Sequence, residues 1–131
     1  MQPLMLLIED NEQNRYLASY LLERNGYRVI CAEDGPRGIA LALELMPDLI
    51  LLDIQLPLMD GYEVALRLRR IEALAQTPIV AVTSYAMLGD REKAIASGCD
   101  GYIEKPINPD TFVADVATFL RPKLDPEDST A

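Results

Sequence analysis

Short apolar runs and longer mixed segments alternate five times along the chain. The runs Leu4 to Ile8, Tyr27 to Cys31, Leu49 to Leu52, Ile79 to Val82 and the shorter Tyr102-Ile103 have the length of strands. Four of them are almost free of polar residues, and a strand apolar on both faces must be covered on both. That condition is met by a parallel sheet between two helical layers. The segments between the runs repeat apolar residues at helical spacing: Leu17, Tyr20 and Leu21; Ile39, Ala42, Leu43 and Met46; Val64, Leu68 and Ile71; Phe112, Val113, Val116, Ala117 and Leu120. Met87 to Ser97 is weaker and offers Ala94 and Ile95 as core. Turn signals such as Asn25-Gly26, Asp34-Gly35-Pro36, Asp60-Gly61 and Ser97-Gly98 fall between these elements. Five β-α units in this order predict an open α/β sheet with right-handed crossovers.

With 131 residues, half of them apolar, the chain suffices for one domain with a substantial core. One domain of residues 1–121 with a flexible tail, 122–131, is the expected organisation, because RPKLDPEDSTA is rich in proline and charge. The formal charge of -9 argues against nucleic acid and an anionic membrane surface as direct partners. No apolar run is long enough to span a bilayer, and two cysteines make no disulfide framework, so a cytoplasmic chain is expected with Cys31 and Cys99 as small buried filler. Histidine is absent, so any chemistry must rest on carboxylates, hydroxyls or lysine.

Ligands of such sheets bind beyond the carboxyl ends of the strands. Those ends read Ile8-Glu9-Asp10, Leu52-Asp53, Val82-Thr83-Ser84 and Ile103-Glu104-Lys105-Pro106. A parallel sheet would crowd Glu9, Asp10 and Asp53 on one rim, where each pair repels by about a few kcal/mol at an effective dielectric near 20. A hard divalent cation relieves this, and magnesium accepts one or two carboxylates while leaving room for phosphate oxygens. Lys105 adds a fixed positive charge and Thr83 a hydroxyl, which completes the parts of a phosphoryl-transfer site. Asp53, on the central strand, is the best-placed nucleophile. Singly these residues are ordinary, since a strand-end acid often caps a helix and a Lys before Pro is often a solvated loop residue. Their recurrence at four strand ends carries the reading.

IEDN, LLDIQLPLMDG, VAVTSYA and GYIEKPI together resemble the receiver domains of two-component response regulators, from about Leu4 to Leu120. EDNEQN and the stretch through EKPI are most similar to single-domain regulators of the DivK type and to hybrid-kinase receivers within the CheY-like superfamily. The resemblance implies a flavodoxin-like, doubly wound five-stranded parallel sheet of order 2-1-3-4-5. It implies that Asp53 accepts phosphate from a phosphohistidine on a sensor kinase or histidine phosphotransfer protein. Asp10, Asp53 and the Gln55 main-chain carbonyl would bind Mg2+, with Mn2+ as a substitute, and Glu9 would act through water.

By the same likeness Lys105 would contact the phosphoryl group across a cis bond to Pro106, and Thr83 would swing toward it. Tyr102 would act as the switch aromatic, biasing the surface of the fourth helix, fifth strand and fifth helix toward a downstream protein, with a monomer or weak homodimer through that surface. Such a chain regulates and catalyses only its own phosphorylation and dephosphorylation. Gln55, Ser84 and Tyr85 would tune phosphate lifetime, a bulky Tyr85 slowing hydrolysis. Pairing with the kinase is expected around Asn14, Arg15 and Ala18. A haloacid-dehalogenase phosphatase needs an acid where Gln55 stands, and a flavodoxin would not place Glu9 and Asp10 beside a phosphate. A degenerate receiver used only for docking would not need the full acidic set.

Overall fold

A computed structural model describes residues 2–84 and 89–120. Five strands, β1 (Leu4–Ile8), β2 (Arg28–Ala32), β3 (Leu49–Asp53), β4 (Ile79–Thr83) and β5 (Gly101–Glu104), pair in parallel in the order β2-β1-β3-β4-β5. Five helices intervene or follow: α1 (Glu12–Arg24), α2 (Gly35–Leu45), α3 (Gly61–Arg70), α4 (Asp90–Ala96) and α5 (Phe112–Ala117). The expected order 2-1-3-4-5 is the observed one.

Alternation along each strand divides the core in two. Leu6, Ile8, Ile50, Leu52 and Ala81 pack with Leu41, Ala42, Val64 and Leu68 of α2 and α3 on one face. Met5, Leu7, Leu49, Leu51, Val80 and Val82 pack with Ala18 and Leu22 of α1 and Phe112 and Val116 of α5 on the other. Burial of such side chains contributes roughly 1.5–3 kcal/mol each before the cost of ordering them. Three helices start on a side-chain cap: Asn11 Oδ1 accepts the N–H of Asn14, Asp34 Oδ1 that of Arg37, and Asp60 Oδ1 that of Glu63. Each cap satisfies a donor that a helix start leaves without an intrahelical partner, a contribution of about 1 kcal/mol.

Several sequence expectations shift. β2 begins at Arg28 because the Tyr27 N–H bonds Leu22 O at the end of α1, and it extends to Ala32, opposite Ile8. As an edge strand β2 leaves Cys31 exposed; Cys99 alone is buried, which pushes its thiol up to about 11. Tyr20 is 47% exposed, stacked on Tyr16 with centroids 6.3 Å apart, so α1 turns Ala18 and Leu22 inward instead. Leu43, Met46 and Ile95 are likewise exposed, and Gly38, Leu41 and Ala94 take the buried positions. Met87 and the proposed tail lie outside the described residues. Among the described residues no helix is long and apolar enough to cross a membrane.

Candidate functional site

The chain leaves β1 for one side of the sheet and returns through β3 on the other, so the strand order reverses between β1 and β3. A crevice opens beyond their carboxyl ends. Glu9 follows β1 directly, and Asp53 is the last residue of β3. Both are 3% exposed, whereas Asp10 faces solvent. One carboxylate oxygen from each of Glu9, Asp10 and Asp53 lies within 4.8 Å of the others. The cap of α1 is Asn11, which leaves the Asp10 side chain to the crevice.

Lys105 enters from the loop after β5. Its Nζ donates to Glu9 Oε1 at 3.1 Å, to Glu9 Oε2 at 3.0 Å and to Asp53 Oδ2 at 3.2 Å. The Lys105-Pro106 peptide bond is cis. Asp53 Oδ1 accepts the main-chain N–H of Gln55 at 3.0 Å, and Ser84 Oγ donates to Gln55 Oε1 at 2.9 Å across the mouth. These side chains line a cleft of about 650 Å3.

Burial raises the Asp53 carboxyl to about 7, and the adjacent Glu9 carboxylate adds to the rise; the Gln55 N–H and the Lys105 ammonium oppose it. A buried acid with these neighbours is poised to accept a cation. Its donors are hard oxygens, the kind that magnesium prefers over nitrogen or sulfur.

Backbone packing holds this acid in place. Gly61 donates its N–H to Ile54 O at 2.8 Å, and a Cβ at Gly61 would stand 2.5 Å from both Asp53 O and Ile54 Cα. The Asp60-Gly61 pair thus caps α3 and lets it approach the end of β3.

Thr83 ends β4, buried, and its carbonyl accepts the Lys105 N–H at 2.7 Å. Tyr102 pairs in register with Ala81 and packs, half-buried, against the α2–α3 face, away from the acids. Burial first, and Asp90 at the start of α4 second, push the phenols of Tyr102 and Tyr62 above their ordinary range. Tyr85 lies outside the described residues.

Two helix residues expected on a pairing surface are half-buried and reach back to the end of β1. Asn14 Nδ2 donates to Glu9 Oε1 at 3.0 Å, and Arg15 Nη1 to Glu9 O at 2.9 Å. Ala18 is 1% exposed, beneath α1, and cannot meet a partner directly. The first turn of α1 follows β1 so closely that a polar residue at its third position can reach back to the strand end. That spacing is the signal in Glu9 to Asn14.

The family model of the response regulator receiver domain matches residues 5–117. The polar-differentiation response regulator DivK of Brucella ovis is 42% identical over 116 residues, 88% of this chain and 94% of that protein. The crystallised chemotaxis protein CheY4 of Vibrio cholerae superposes with a TM-score of 0.87 at 28% identity, over 92% of this chain and all of that one. The receiver domain of a sensor histidine kinase from Pseudomonas aeruginosa PAO1, solved with a magnesium ion coordinated in its active-site cleft, gives a TM-score of 0.84 at 32% identity, over 91% of this chain and 98% of that one.

Proposed function

This chain belongs to the response regulator receiver domain family, and from that premise we propose that Asp53 is its phosphoacceptor. Receiver domains of two-component systems accept phosphoryl groups and work through partner proteins, and they bind Mg2+ in an acidic pocket. Support for the assignment comes from one arrangement: a buried carboxylate at the end of the central strand, with two further carboxylates and Lys105 converging on it. Glu9, Asp10, Asp53 and the Gln55 carbonyl would hold the ion, which when bound supplies positive charge next to the transferring phosphoryl group.

An Asp53 carboxylate oxygen attacks phosphorus in line with the bond to a partner's phosphohistidine nitrogen. The P–N bond breaks, its electron pair stays with the imidazole, and an acyl phosphate forms on Asp53. Lys105, already 3.2 Å from Asp53, shifts its ammonium to the new phosphoryl oxygens as their charge develops. The Gln55 N–H fixes the other Asp53 oxygen, so the attacking atom needs no reorientation. Thr83 and Tyr102, on the same face of β4 and β5, pass the change to the α4-β5-α5 surface by biasing two states. A phosphohistidine protein is the donor, a further protein is the target, and residues 1–121 form the receiver domain.

Acetyl phosphate with Mg2+ tests this reading without a partner. Intact mass is expected to rise by one phosphoryl group in the parent and not in Asp53→Asn. An unmodified parent, or a modified Asp53→Asn, would overturn it.

A further inference from the structure

Glu9 carries one more methylene than an aspartate, so its carboxylate has an extra rotatable bond to be fixed. Its position is nevertheless over-determined. Arg15 binds the main-chain carbonyl of Glu9, and Asn14 binds the far end of its side chain. The Asn14 main chain is itself tied at 2.9 Å to the Asn11 cap, which anchors the first turn of α1 to the start of the same loop.

The acceptor capacity of the Glu9 carboxylate divides unequally. Oε1 takes two donors, Asn14 Nδ2 at 3.0 Å and Lys105 Nζ at 3.1 Å, while Oε2 takes Lys105 at 3.0 Å. A carboxylate oxygen offers two lone pairs, so Asn14 and Lys105 between them occupy Oε1, and the Glu9 carboxylate also shares a side-chain hydrogen bond with Asp53. Asn14 also lines the cleft beside Asp10 and Asp53.

We propose that Asn14 is a positioning residue of the phosphoacceptor site, holding the Glu9 carboxylate turned toward Asp10 and Asp53, where it meets the cation or its water. The inference rests on the magnesium-dependent reading above and extends it to a residue that never touches the phosphoryl group. Without the amide, the Glu9 carboxylate loses one of its anchors and is held less firmly by Lys105, so more of its ordering falls to the cation and affinity drops. Partners that orient a ligand in this way are worth about 10–100-fold in metal affinity.

The test is calorimetric titration of the full chain with Mg2+, with no phosphodonor present, for the parent, Asn14→Leu and Asn14→Gln. Asn14→Leu keeps the shape and removes the donor; Mg2+ binding is expected to weaken about ten-fold, with a metal-free melting midpoint within about 2 °C of the parent. Asn14→Gln retains an amide and recovers most of the affinity. With acetyl phosphate, the Leu variant needs more Mg2+ for half-maximal rate and reaches the parent rate at saturation. Unchanged affinity in Asn14→Leu, or equal losses in the Leu and Gln variants, would overturn the inference and leave Asp53 as phosphoacceptor untouched. A parent that takes up no Mg2+ would overturn both.

Discussion

The two rims of the sheet use the same ingredients to different ends. At the amino rim, Arg69 at the end of α3 donates to the carbonyls of Gly98, Leu74, Ala75 and Thr77 and pairs with Asp100. Asp100 in turn accepts the Ile79 N–H at 2.9 Å at the head of β4. Among the described residues the Arg69 guanidinium meets Asp100, and its remaining donors meet peptide carbonyls, so this pair is matched in charge. At the carboxyl rim, among the described residues, three carboxylates gather around one ammonium group. A balanced network fastens loops together; an unbalanced, buried one keeps an appetite for a cation. The mismatch, more than the number of charges, separates the working end from the structural end.

Removing the acceptor should break the comparison most completely. Asp53→Asn is expected to abolish phosphorylation by acetyl phosphate, read by intact mass, while raising the metal-free melting midpoint at pH 8 by about 5 °C because a poorly solvated charge is gone. Lys105→Met comes next: the initial phosphorylation rate at saturating Mg2+ should fall about 100-fold, since the ammonium acts on charge that develops during transfer.

At the opposite rim the balance is the thing to disturb. Arg69→Ala takes the guanidinium from Asp100 and from several peptide carbonyls, a loss of about 2 kcal/mol, or about 7 °C in melting midpoint. Mg2+ affinity in the folded Arg69→Ala protein should match the parent. A variant that lost metal affinity instead would show the two rims to be coupled.

A smaller effect sharpens the contrast through pH. Folded Asp53 keeps its proton up to about 7, whereas an unfolded chain releases it near the ordinary value of 3.8. Between those values the folded state binds more protons, so metal-free stability contributed by this group is lost as pH rises through the window. Melting midpoints from pH 4 to 8 with a chelator should therefore fall more steeply in the parent than in Asp53→Asn. Saturating Mg2+ should remove most of the difference, and parallel slopes would contradict the unbalanced rim.

Legibility in the sequence followed the range of the interactions involved. β1 was readable to the residue, because an apolar run bounded by polar residues is a local signal. The acids were readable because each stands at its strand's end or within two residues of it, so that finding the strand found the rim. The faces of the helices were harder. Tyr20 and Leu43 satisfy an apolar stripe on paper, yet a rotation of each helix buries Ala18 and Leu41. Small residues such as Ala18 and Gly38 give a weak hydrophobic signal, although they are the ones that permit close approach to the sheet. Cys31 looked like core because a sequence does not mark which strand is at the edge. Asn14 was assigned outward for the same reason: its partner Glu9 lies across a loop whose path depends on the packing of α1.

The sequence by itself determined the alternation of strands and helices and the acidic rim, and it singled out Asp53 as the proposed phosphoacceptor. Each of these follows from a hydrophobic period or from adjacency along the chain. Tertiary structure decided that Lys105 spans Glu9 and Asp53, that Asn14 and Arg15 hold Glu9 from α1, and that Asp53 is buried enough to keep its proton to about 7. Those outcomes depend on the rotation of helices about their axes and on the exclusion of water between elements far apart in the chain, and neither is encoded by any short stretch of residues.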